Sequence, residues 1–117
     1  MLSNININQS TSIFSIKTGR VECFNVTITT KNWGYENSWT LGTCASDDLG
    51  YQEDQVKTEK CCLAPGKHTL TCEDTYKDGW HGGFIAIQGE EYCEDFTNGH
   101  EQKQDIDIIS SGSHLHG

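Results

Sequence analysis

"HTLTCEDTYKDGWHGGFIAIQG", residues 68–89, changes its pattern twice. Leu70 and Cys72, then Ile85 and Ile87, fall at every second position, the period of a strand with one buried face. Between them, "EDTYKDGWHGGF" (73–84) holds two aspartates, three glycines, a tryptophan and a histidine in twelve positions. That composition suits a demanding turn, a metal-binding loop or the lip of a sugar site. Residues 26–42, "VTITTKNWGYENSWTLG", repeat the plan: alternating strand, polar loop with an aromatic, tryptophan, second strand. The likeness suggests an internal duplication with equivalent loops, although the hairpins of a Greek-key sandwich are pseudo-symmetric without one.

The same alternation marks "SIFSIKT", "VECFNVTIT", "SWTLGTC" and "QDIDII", separated by glycine, asparagine and aspartate clusters. No stretch of ten or more residues keeps a helical apolar stripe. Only "DDLGYQEDQVKTEK" (47–60) is ambiguous between a helical turn and an edge strand. Short strands at regular spacing predict an all-β fold, an antiparallel β-sandwich or jelly-roll-like barrel. With 117 residues there is room for one domain. Its expected divisions are an N-terminal segment at 1–19, with a strand near 13–18, a β-sandwich module at 20–109, and an expression-derived tail at 110–117. The start lacks the basic and apolar stretches of a signal peptide and reads as a mature chain given an initiating methionine.

Hydrophobic residues make up only 34% of the chain, so its core needs reinforcement. Six cysteines, Cys23, Cys44, Cys61, Cys62, Cys72 and Cys93, can supply it as disulfides, which places the protein in an oxidising, extracellular compartment. Zinc thiolates are disfavoured because the only close pair, Cys61 and Cys62, is adjacent and cannot easily share one tetrahedral centre. For the same reason these two are expected to take different partners, while the pairing itself stays open. Sequons at Asn8 and Asn25 agree with secretion. A net charge of −9 argues against nucleic acid and anionic membranes and favours cations. No run is long and apolar enough to insert into a membrane.

"ENSWTL" (36–41), "CCLAPGKHTLTCEDTYKDGWHGGFIAIQG" (61–89) and "YCEDF" (92–96) together resemble an extracellular β-module of secreted proteins from algae, invertebrates and bacteria. Its pattern runs E-x-S-W-x-L, then C-L-P-G-x-Y-T-L-T, then D-S-Y-G-D-G-W. The resemblance spans about residues 20 to 108 and implies a secreted, non-catalytic β-domain. Thr75, Lys77 and His81 depart from it, and Lys77 brings a positive charge toward the loop.

Calcium takes about six to eight oxygens, and Asp74, Asp78 and Glu73 could converge with Asn32, Glu36, Asn37 or Asp95 from other loops. An EF-hand is excluded: Tyr76 stands where an oxygen donor belongs and Ile85 where the bidentate glutamate belongs. The competing role for Asp74 and Asp78 is to organise the turn by accepting backbone N–H bonds. Trp33, Tyr35, Trp80 and His81 are the candidate ligand-binding residues; Tyr76 is a further aromatic, and Trp39, inside a strand, belongs to the core. His68, His81 and His100 are dispersed, no nucleophile motif occurs, and Glu90, Glu91, Glu94 and Asp95 read as solvated charge. The expected function is a non-catalytic binding or adhesion module. Loops 32–37 and 73–83 would recognise a carbohydrate or extracellular protein, with calcium as candidate cofactor. A small disulfide-rich effector, a toxin or inhibitor acting on a protein target, is the alternative.

Overall fold

The structure, a computed structural model, describes residues 20–110. The strand expected near 13–18, the Asn8 sequon and residues 111–117 lie outside the described residues. The chain forms β1 (Glu22–Thr29), a 3-10 turn (Gly34–Glu36), β2 (Asn37–Leu41), β3 (Cys44–Ala45), β4 (Val56–Leu63), β5 (Gly66–Asp74), β6 (Phe84–Ile87), β7 (Glu90–Tyr92) and β8 (Glu101–Ile108). Two four-stranded antiparallel sheets result, ordered β4-β1-β6-β7 and β3-β2-β5-β8. The all-β expectation holds.

Alternation sets the layers. Val26 and Ile28 of β1 and Ile85 and Ile87 of β6 turn inward from one sheet; Trp39, Leu41, Leu70, Cys72, Ile106 and Ile108 turn inward from the other. Their outward neighbours are mostly polar, as in a half-buried antiparallel sheet, with Phe84 and Ala86 of β6 the exceptions. Trp39 also carries a polar chain through the interior: its indole N–H donates to the Tyr51 hydroxyl at 2.8 Å, which donates to Glu59 Oε1 at 2.8 Å. Burial, then Glu59, hold the Tyr51 phenol far above its ordinary range, so it remains a donor.

Of the ambiguous region 47–60, residues 47–55 form turns and irregular backbone, and residues 56–60 enter β4, an edge strand. Its half-buried positions include Lys57 and Glu59, which serve the Tyr51 network: Lys57 Nζ lies 3.4 Å from Asp47 Oδ2, 3.7 Å from Glu59 Oε2 and 5.7 Å from the Tyr51 ring centre. Polar residues at those positions hid the strand's alternation.

All six cysteines are paired. Cys23–Cys62 joins directly opposed residues of β1 and β4 on the outer face of one sheet. Cys44–Cys61 links the two sheets, and Cys72–Cys93 ties β5 of one sheet to the residue that follows β7 of the other. Because successive side chains of a strand point to opposite faces, Cys61 reaches across the core and Cys62 reaches sideways. No helix among the described residues is long and apolar enough to cross a membrane.

Replacing the Cys72–Cys93 pair with serines releases a cross-link between residues 21 apart. Chain entropy alone then predicts a loss of about 3 kcal/mol. Urea unfolding of the double variant should show a lower midpoint and a steeper slope, because the released unfolded chain is less compact and exposes more surface.

Candidate functional site

Of the connections that cross between the sheets, β1 to β2 and β5 to β6 are brought to one end by register. Thr29, which closes β1, is paired with Phe84, which opens β6; Asn37, which opens β2, is paired with Asp74, which closes β5. Loops 30–36 and 75–83 therefore spring from neighbouring strand ends. They are joined directly where the Thr75 N–H donates to the Glu36 carbonyl at 3.1 Å.

The first loop is braced by residues 52–55. Buried Thr30 donates its hydroxyl to the Gln52 carbonyl at 2.6 Å and accepts the Gln55 N–H at 2.9 Å. Gly34 passes so close that a Cβ there would stand 2.2 Å from the Gln52 carbonyl oxygen. Trp33 adopts a left-handed backbone, φ 63°, unusual for a bulky residue. The following 3-10 turn directs Glu36 inward and leaves Trp33 and Tyr35 outside, their rings edge to face at 6.1 Å. Desolvation, then the charges of Glu36, Tyr76 and Glu53, raise the Tyr35 phenol; exposed Tyr76 follows Thr75 and exposed Tyr35 precedes Glu36, the two residues whose backbones are bonded.

The second loop is organised by Asp74, whose carboxylate accepts the N–H groups of Tyr76 and Asp78. Its backbone N–H donates to the His100 carbonyl at 2.7 Å. Asp74 thus performs the turn-building role weighed for it, from a fully buried position. Gly79, at φ 80°, lets the chain pass Phe96: a Cβ would meet the Phe96 carbonyl oxygen at 2.3 Å. Trp80, a candidate ligand surface from the sequence, is instead fully buried, its indole N–H donating to the Glu73 carbonyl at 2.9 Å and its ring packed on Phe96. No face of it is free, because the adjacent glycines let backbone close over the ring.

Around this scaffold Glu36, Asp78 and His81 converge, each offering one donor atom, all within 4.8 Å of one another. His81 Nε2 lies 3.3 Å from Asp78 Oδ2 but makes no well-directed hydrogen bond. Among the described residues, the buried side-chain atoms without a hydrogen-bond partner are Glu36 Oε1, both amide atoms of Asn37, and His81 Nε2. All belong to this end of the sandwich. Such grouping of unsatisfied polar atoms is uncommon in a native interior and signals a missing partner.

The electrostatics agree. Burial, then a hydrogen bond with Asp74, then the charges of Asp78 and Asp74 push the Glu36 carboxyl up from its ordinary 4.5, against the opposing pull of His81. Asp78 is held below its ordinary value, chiefly by hydrogen bonding with Asp74 and then by His81, although desolvation works the other way.

Other sequence candidates stand apart. Glu73, one position from Asp74, points to the opposite face, where it accepts the Ser38 hydroxyl at 3.2 Å and lines an open polar hollow with Thr75, His100 and Glu101. Asn32 is exposed at the start of its loop. Asp95 is exposed and accepts from Gln102 at 3.0 Å. Lys77 is exposed and is not one of the three converging residues. Tyr76 and Asn37 gain weight: Asn37 occupies an inward position of β2, in phase with Trp39 and Leu41, where an apolar residue is the norm.

No protein-family model, curated protein or solved structure matches this chain.

In cation-free protein, Glu36 binds its proton more tightly when folded than when unfolded. Stability is therefore lost as pH rises from about 4.5 through the raised Glu36 value. Glu36→Gln retains a hydrogen-bonding partner for Asp74 without a charge to bury. In EDTA its unfolding midpoint should exceed that of the wild type at about pH 7, with the gap closing toward about pH 4. Gly79→Ala, by contrast, should cost at least about 2 kcal/mol at any pH, since both its φ and the adjacent backbone resist a side chain.

Proposed function

We propose that this chain is a non-catalytic extracellular recognition module that binds a carbohydrate at its loop end, with a divalent cation helping to hold that end together. The observation carrying this reading is the grouping of exposed Trp33, Tyr35 and Tyr76 beside Glu36, Asp78 and His81. Aromatic faces accept the C–H side of a sugar ring, and neighbouring carboxylates accept its hydroxyls. Recognition residues of this kind commonly sit on loops held by a rigid scaffold.

The cation follows from charge. Calcium, expected from the sequence, or another divalent ion would offset the burial that chiefly raises Glu36, along with the repulsion that adds to it, and occupy its unpartnered oxygen. Three disulfides support an oxidising, extracellular setting. An extracellular protein could meet the same aromatics, but the carboxylates around them favour a ligand rich in hydroxyls.

Immobilised polysaccharides of differing linkage provide the test. Trp33→Asn suits the left-handed backbone at that position and removes only the exposed ring. Together with Tyr35→Ala it should weaken retention at least about tenfold, the equivalent of 1.4 kcal/mol, while leaving the unfolding midpoint near that of the wild type. Trp39 and Trp80 are buried, so a fluorescence change on binding would report Trp33. Undiminished retention by the double variant would refute the aromatic site.

A further inference from the structure

We infer that the cation at the loop end is a divalent first-row transition ion of the zinc class, bound by His81 Nε2 and one carboxylate oxygen each from Asp78 and Glu36, with its remaining position open to an exogenous ligand. This rests on the cation-dependent part of the function proposed above and departs from the calcium expected from sequence.

The donor set decides the class of ion. An imidazole nitrogen suits zinc, copper, iron or nickel, whereas calcium takes oxygens alone. Three side-chain donors with a free position match a four-coordinate zinc site and fall well short of the calcium shell. The 3.3 Å between His81 Nε2 and Asp78 Oδ2 is the separation expected of two ligands sharing a tetrahedral ion at about 2.0–2.2 Å from each. Glu36 is the independent sign of an occupant: it is 6% exposed, its Oε1 is buried and unpartnered, and a carboxylate oxygen of this residue lies within 4.8 Å of the other two donors.

Several oxygens that could complete a calcium shell are already engaged, although the buried Asn37 Oδ1 is not. Both Asp74 carboxylate oxygens accept backbone N–H groups. The Glu36 carbonyl accepts from Thr75, that of Asp74 from Lys77, that of Lys77 from Gly99, and that of Trp80 from Gly83. The Glu73 carbonyl accepts the Trp80 indole, and its carboxylate faces the other side of the sheet. The loop turns these carbonyls into its own hydrogen bonds, while the three side chains converge as donors. Glu36 forms the floor, while the His81 and Asp78 side chains, 26% and 49% exposed, form the mouth. The open position therefore faces solvent.

The test is thermal melting and calorimetric titration with ZnCl2 and with CaCl2, using the full chain carrying His114→Ala and His116→Ala so that the terminal H-x-H pair contributes nothing. Zn2+ should raise the midpoint where millimolar Ca2+ does not, and Co2+ should give the intense visible absorption of a four-coordinate ion. His81→Asn keeps a residue that tolerates φ 55°, and Asp78→Asn keeps the N–H that Asp74 accepts. Each should retain the metal-free midpoint and weaken Zn2+ at least about tenfold. A midpoint raised by Ca2+ and not by Zn2+ would overturn the zinc assignment while preserving a cation-dependent module. A response to neither ion would overturn both the assignment and the cation dependence, leaving the aromatic surface to be judged by polysaccharide retention. Undiminished Zn2+ binding by both variants would overturn this ligand set.

Discussion

Antiparallel register is the constraint on which the rest of this molecule depends. Pairing Thr29 with Phe84 in one sheet and Asn37 with Asp74 in the other makes two sheet-to-sheet crossings leave the sandwich at a single end. The same pairing sets which residues point inward there. Asn37 and Asp74 occupy positions that Trp39 with Cys72 and Leu41 with Leu70 fill with apolar side chains deeper in the sandwich. The core becomes polar just where the loops begin. A thin hydrophobic interior with a polar, partly unsatisfied rim is therefore one continuous feature of the inner face.

Polarity costs stability at that rim and is handled differently elsewhere. Along β4, Lys57 and Glu59 complete a satisfied network with Asp47, Tyr51 and Trp39, so buried polar groups there have partners. At the loop end Glu36, Asn37 and His81 keep unpartnered atoms. A protein that satisfies one buried network and leaves another incomplete concentrates its frustration at the site it would use for binding.

Much of the fold was legible in the alternation of β1, β2, β5, β6 and β8, and in the adjacency of Cys61 and Cys62, which demanded separate partners. Strand β4 was obscured because its inward polar residues serve tertiary partners that no local pattern announces. Within the site, sequence reasoning named Asp78 and Glu36 together, and the structure brings them within 4.8 Å because both lie in loops that leave the sandwich at one end. It did not separate Asp74 from Asp78. That distinction arises because Asp74 is the last inward residue of β5, where the backbone N–H groups of the turn reach it, while Asp78 lies beyond the turn it helps to close. Trp80 was equally opaque: glycines permit either an exposed ring or one covered by backbone, and only the approach of residues 96–97 determines which.

The two neighbouring cysteines of β4 act on the strand as a parity check. Cys62 must face outward to reach Cys23, and Cys61 must face inward to reach Cys44. Sliding β4 by one residue against β1 would exchange those directions, turning Leu63 outward and offering each sulfur to the other's partner. The isomer with the partners of Cys61 and Cys62 exchanged would therefore preserve an out-of-phase sheet. Correct oxidation commits an exposed edge strand, weakly specified by its own polar sequence, to the single alignment that keeps the sandwich closed.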